Sequence, residues 1–321
     1  MVVCVRRTAL LATLILCSAA APAQASNLVF VCGKDLCSAS DAGSDRVRLT
    51  RDGGAGPYTS PSVSRSGKRI AYTRGERGRV FTGRLTRRGG RIRGLRDIRR
   101  ITPYRDGPRD ATQFDVALSA DGSLVAWVEL RINVVFNTID FRRYVARFDG
   151  SGSRQVAASG GRPFVAWGTS SLTLREGLTI ETDAQQTGES VDSGLCTASP
   201  GSEQNGTCRG PGARQLALDP SGRHLRHPDV FGTRLVATAY AYEAGEPDNA
   251  IQRPGSIVLF DTTTARPVRD LTSANGDSSP VFSPDGRRVA FERRGSVYTV
   301  PVSGGDLRRV LRRGREPSWS R

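Results

Sequence analysis

Histidine is almost missing from this chain of 321 residues: only His224 and His227 occur. A centre built on three or more imidazoles is therefore excluded. Lysine is nearly as scarce, at Lys34 and Lys68, so almost all of the positive charge is arginine. No Cys-x-x-Cys pair marks a zinc ligand set. No Gly-x-Ser-x-Gly elbow, His-Glu-x-x-His segment or glycine-rich phosphate loop is present. Beyond residue 25, no apolar run approaches the about 20 residues that a membrane-spanning helix needs. What the chain does have is a charged start, a long arginine-rich stretch and a repeated strand motif.

The start reads as a targeting segment. Arg6 and Arg7 precede a short apolar run over residues 9–21, and Ala23-Gln24-Ala25 fits a small-x-small cleavage site. A lipid-modified Cys17 is disfavoured by Leu16, which stands where a small residue is expected. The expectation is a signal peptide over 1–25 and one domain over 26–321, exported to the periplasm or the exterior. Removing Arg6 and Arg7 takes 47 basic residues to 45 against 31 acidic ones, a net +14. Four cysteines then remain, an even number that in an exported chain reads as disulfides.

Residues 280–291, Pro-Val-Phe-Ser-Pro-Asp-Gly-Arg-Arg-Val-Ala-Phe, contain a strand, a tight turn and a second strand. Other copies begin at Pro61 and Val116, with degraded ones at Val165 and Pro228. A last copy at Pro317 stops after its first strand. Residues 27–50 supply strands two to four with no first strand before them. A repeat split across the termini is what a closed ring needs, and a period near 40 with four short strands is in the propeller range. The fold class is thus all-β: a six-bladed β-propeller closed by pairing of the N- and C-terminal strands in one blade. Residues 215–222 could also open a blade, which leaves seven blades as the alternative. Asp121 and Asp285 read as turn residues repeated because the fold repeats, not as a catalytic pair.

The pattern Pro-x-aromatic-Ser-Pro-Asp-Gly-x-x-Val-Ala-Phe, followed by Ser296-Val297-Tyr298-Thr299-Val300 and Ser303-Gly304-Gly305-Asp306, resembles the WD-like propeller repeats of the TolB family. The resemblance covers nearly all of the chain after the signal. It implies an exported propeller that works through protein–protein contacts. The family also carries an α/β domain before the ring, which this sequence lacks after its signal.

The strands of each blade are labelled A to D from centre to rim. Loops B–C and D–A then leave one face of the disc, and A–B and C–D the other. Long B–C connections are expected at residues 131–141, 179–193 and 243–255, and a long D–A connection at 103–115. Loops on a rigid scaffold carry binding residues disproportionately. The candidate contacts on this face are Arg105, Asp106, Asn133, Phe136, Asn137, Glu243, Asp248 and Arg253. Residues 86–94 and 201–212 are insertions in C–D connections. The map favours disulfides Cys32–Cys37 and Cys196–Cys208 among the three possible pairings. His224 and His227 read as an exposed loop pair.

Residues 79–109 hold eleven arginines. Arginine forks suit carboxylate and phosphate groups, and an excess of positive charge concentrates polyanions. The functional expectation is a non-catalytic, monomeric binding propeller without metal or cofactor. Its partner would be a protein or an anionic envelope polymer, and not nucleic acid. The competing expectation is a lyase or hydrolase acting in the central channel. Convergent buried carboxylates, or both histidines in the channel, would point to the enzyme.

Overall fold

The computed structural model describes residues 26–102, 111–119, 121–133, 138–159, 179–187, 190–198, 214–221, 223–242, 252–273 and 276–320. Every regular element among them is a β-strand, apart from one 3-10 turn at Gly53–Ala55. No helix among the described residues is long and apolar enough to cross a membrane.

The strands form antiparallel blades around a central axis. One blade runs β4 (Tyr58–Val63), β5 (Arg69–Arg74), β6 (Arg79–Arg88), β7 (Arg91–Arg100). The next runs β8 (Ala111–Leu118), β9 (Leu124–Asn133), β10 (Thr138–Arg147), β11 (Arg154–Ser159). A three-stranded sheet follows, from β12 (Thr179–Thr187), β13 (Ser190–Ala198) and β14 (Arg214–Leu218). Then come β15 (His224–Phe231), β16 (Arg234–Tyr242), β17 (Gln252–Asp261), β18 (Arg266–Asp270). The next blade is β19 (Asp277–Phe282), β20 (Arg288–Arg293), β21 (Ser296–Pro301), β22 (Arg308–Leu311). The closing blade takes β23 (Arg315–Ser320) from the C-terminus and β1 (Asn27–Cys32), β2 (Asp35–Ser40) and β3 (Val47–Arg48) from the N-terminus. In it Leu28 faces Trp319 and Asn27 faces Ser320.

Three expectations are corrected. Five blades, not six or seven, are complete with four strands among the described residues. Residues 215–222 do not open a further blade, because β14 pairs with β13 as the outer strand of its sheet. The anchor at Val165 lies outside the described residues, as do the signal segment and Cys208, hence the Cys196–Cys208 bridge. Two of the B–C connections, those expected at 131–141 and 179–193, are also shorter than expected. Asn133 pairs with Thr138 and Thr187 with Ser190, so these segments are extended hairpins rather than loops.

Local chemistry explains the repeat. In the turn after β19, the Gly286 N–H donates to the Ser283 carbonyl at 2.8 Å, and Gly286 takes φ +67°. Ser283 Oγ accepts from the Arg288 N–H at 2.9 Å and donates to Asp285 at 2.6 Å. Ser119 and Asp121 repeat this arrangement before β9, and Ser64 caps the turn before β5. The cores lie between blades. Ile70, Tyr72 and Ile92 pack with Val29, Val31 and Leu36 of the closing blade, and Val289 and Phe291 with Val236 and Ile257. Full burial of such side chains contributes about 1.5–3 kcal/mol each.

Part of the arginine excess is architectural. Three second strands begin with Arg, and each guanidinium reaches the following blade. Arg69 lies over Phe148 and donates to the Gly122 carbonyl at 2.8 Å. Arg234 lies over Phe282. Arg288 lies over Trp319 and pairs with Asp41 at 2.8 Å. A planar, always-charged fork can stack and donate at once, which an ammonium cannot.

Two devices reinforce the closing blade. Cys32 and Cys37 are disulfide-bonded across the turn from β1 to β2. Within that turn the buried Asp35 carboxylate accepts from Arg48, the Thr50 hydroxyl and the Gly53 N–H. The second device is the segment expected as an insertion at 86–94. It is the tip of the β6–β7 hairpin, with Arg88 facing Arg91, and it laps onto the closing blade. Asn27 Nδ2 donates to the Gly90 carbonyl at 3.1 Å, and the Ile92 N–H donates to Asn27 Oδ1 at 3.3 Å. Ser38 Oγ donates to the Ile92 carbonyl at 3.0 Å.

Candidate functional site

The inner strands share one irregularity. Ser60, Asp115, His227, Ser279 and Glu316 all have positive φ, between 49° and 53°. Each stands one residue before a repeat anchor, at Pro61, Val116, Pro228, Pro280 and Pro317. In four of the five strands the register with the second strand shifts at that point, and β23 shifts against β1 between its partners for Val29 and Val31. The corresponding position of the remaining repeat, Phe164, lies outside the described residues. A bulge of this kind re-aims one side chain, and left-handed backbone at a non-glycine residue costs on the order of 1–3 kcal/mol. Repetition at one level of the ring makes it a feature of the fold.

The five positions ring a central cavity of about 470 Å³. Just beyond them, side chains link adjacent blades. The Val63 N–H donates to Ser318 Oγ at 3.0 Å, and the Leu118 N–H to Ser62 Oγ at 2.9 Å. The Phe282 N–H donates to Asp229 Oδ2 at 2.7 Å. At the bulge level, Glu316 accepts from the Ser60 N–H across the ring closure. Glu292, on β20, accepts from the Glu316 N–H at 3.1 Å.

Burial and mutual repulsion set the protonation of this level. Burial and the nearby Glu316 carboxyl push Asp115 up to about 7, against the pull of Arg226. Burial raises Glu316 as well, although Ser60 and Arg315 favour its charged form. Glu292 rises through burial and repulsion by Glu316, against its backbone bonds. His227 is held down at about 4 by burial and the Arg226 charge. Its Nδ1 lies 3.3 Å from the Tyr240 hydroxyl, whose own pKa is pushed up to about 12, chiefly by burial. Arg226 stacks over the Tyr240 ring, 5.2 Å from its centroid. The wall therefore combines bonded carboxylates with a neutral imidazole–phenol pair and one carboxyl that titrates near neutrality. Among the described residues no group of three or more His, Cys, Asp or Glu could hold a metal ion.

The structure corrects the reading of the histidines. Both lie on β15 rather than in a loop, and His227 lines the cavity. Of the candidate contacts, Arg105, Asp106, Phe136, Asn137, Glu243 and Asp248 lie outside the described residues. Asn133 ends β9 and Arg253 lies on β17 opposite Ala241. Both belong to B–C ends, the face from which the inner strands enter. The bulge level lies part-way along the channel, opposite the fourth residue of each second strand, and Arg65 and Pro284 of the A–B turns also line the cavity. Asp115, His227, Glu292 and Glu316 were not identified from sequence. A signal existed for three of them: Asp115, His227 and Glu316 each stand immediately before an anchor, where two other repeats carry Ser60 and Ser279.

No family model matches this chain, and no curated protein matches it. Solved structures do. TolB from Acinetobacter baumannii superposes with a TM-score of 0.60 at 17% identity, covering 92% of this chain and 67% of that one. A chain of a nidogen/laminin complex gives 0.57 at 14% identity, covering 92% and 98%. A chain of hydrazine synthase from Kuenenia stuttgartiensis gives 0.54 at 12% identity, covering 92% of this chain and 47% of that one. Likeness at these identities shows the fold, that of a TolB-like β-propeller.

Proposed function

We propose that this chain is an exported, non-catalytic propeller. It binds a protein or a cell-envelope component on the face where the inner strands enter. Arg105, Asp106, Asn133, Phe136, Asn137, Glu243, Asp248 and Arg253 supply contacts around the mouth of the channel. One observation carries this reading. Asp115, His227 and Glu316 occupy a repeated bulge that lines the central cavity. Glu316, Glu292 and Asp229 accept hydrogen bonds from backbone N–H groups, which makes them supports of the ring before they are acids or bases. The TolB-like fold agrees with a binding role.

Crosslinking in the native envelope, followed by co-purification, tests the proposal. A specific partner should be recovered with the natural chain and lost when the eight contacts are changed to alanine. Identical recovery from both would refute the binding face. A second reading, a lyase or hydrolase working in the channel, is favoured by Asp115, which sits near 7 where a general acid or base is most effective. That reading requires turnover that Asp115→Asn abolishes while partner recovery is unchanged.

A further inference from the structure

A concentration of positive charge lies away from the channel, on the outer strands of the β4 blade. Arg84 on β6 and Arg96 on β7 face each other directly. Their side chains are 56% and 65% exposed. Like charges in directly opposed positions destabilise a sheet. The carboxylate near both is Asp97, at 3.8 Å from Arg84 and 3.7 Å from Arg96, on a residue with φ +52°. Arg99 follows on the same face and donates to the Asp149 carbonyl of the β8 blade at 3.3 Å. Arg147 is exposed on that neighbouring blade. Asp149 is held low mainly by its bonds from Ser151, and Arg99 and Arg147 both add attraction there.

This rim differs from the clamps of the ring. Arg69, Arg234 and Arg288 stack on aromatic rings of the next blade, whereas Arg84 and Arg96 share one exposed carboxylate. A solvated face of a soluble protein intersperses the two signs; here the arginines meet across strands about 4.8 Å apart. That spacing, with forks suited to bidentate carboxylate or sulfate contacts, fits a chain carrying one anion per ring-sized unit. No aromatic is among the exposed large apolar side chains of the described residues, so unstacked nucleic-acid bases have no platform here.

We infer that the outer strands of the β4 blade, with the adjoining edge of the β8 blade, bind a linear acidic polysaccharide through Arg84, Arg96, Arg99 and Arg147. This surface is separate from the channel mouth and stands whether or not that reading holds.

The test uses the full chain with heparin and polygalacturonate as probes and oligo-dT as competitor. The natural chain should stay bound to immobilised heparin above about 0.15 M salt. The variant Arg84→Gln/Arg96→Gln/Arg99→Gln should bind both polysaccharides at least tenfold more weakly, with a shallower dependence of affinity on salt. A control, Arg308→Gln/Arg309→Gln/Arg312→Gln, removes equal charge from the edge of the β19 blade and should lose less than threefold. Lysine at 84, 96 and 99 keeps the charge and the fold while removing the forks, and should still lose several-fold. Equal losses in the two glutamine variants would mean that net charge alone attracts polyanions, and would overturn the assignment. Elution of the natural chain below 0.15 M salt, or tighter binding to oligo-dT than to polygalacturonate, would overturn it too.

Discussion

Asp115 and His227 are displaced in opposite directions by the same cause. Burial favours the neutral form of each, so the carboxyl rises to about 7 and the imidazole falls to about 4. Their contributions to stability then run oppositely with pH. Asp115 binds its proton more tightly when folded than when unfolded, so its contribution is complete in acid and is lost as pH rises from about 4 through 7. His227 binds its proton more weakly when folded, so its contribution is complete above about 6.5 and is lost as pH falls towards 4. Asp115→Asn keeps the neutral shape and removes the alkaline loss. Its stability relative to the natural chain should therefore improve between pH 5 and pH 8, by on the order of 1–3 kcal/mol. Thermal melts of both proteins across that range are the measurement. A difference that stays constant with pH would mean that Asp115 is charged at neutrality, and it would remove the support for a channel acid.

At the scale of the strand, the most informative element is the β6–β7 hairpin, because its extra length serves a neighbour. Asn27 bridges its tip from β1, donating to Gly90 and accepting from Ile92. Asn27→Ala should leave the buried Ile92 N–H without this partner, at a cost of about 1–3 kcal/mol. Chemical denaturation will show it; a loss below about 0.5 kcal/mol would mean that the lap is a passive contact. Sequence gave no warning of this role, since residues 86–94 look like an insertion until the register pairs Thr86 with Gly94. The turns were legible because Ser-Pro-Asp-Gly carries its own geometry. The split blade was legible because a missing first strand and a surplus one complete each other. The channel residues were not, because a left-handed bulge before Pro61 or Pro228 comes from the packing of inner strands about the axis and not from local preference. The histidines were misplaced for the same reason: spacing alone does not say which way a bulged strand turns His227.

For the whole molecule, stability depends on a closure made by the two chain ends. β23 supplies the inner strand of the closing blade, and its Trp319 is only 4% exposed, packed with Leu28, Phe30 and Leu311. Ser318 accepts the Val63 N–H of the next blade, and Glu316 accepts that of Ser60. On the other side Arg288 stacks on Trp319 and pairs with Asp41. Removing residues 317–321 therefore strips the β1 edge, exposes two inter-blade cores and unties the first blade from the last. Loss of the buried tryptophan alone is worth about 3–5 kcal/mol, so the deletion should lower the melting temperature by more than about 10 °C. The disulfide between Cys32 and Cys37 lies at the outer side of β1 and cannot substitute for the lost inner strand. Adding back a peptide of residues 312–321 should restore part of the loss in a concentration-dependent way, since it binds only the folded ring. An unchanged melt after deletion would show that the ring holds without most of its last strand, and the inter-blade bond from Ser318 would then be ornament rather than closure.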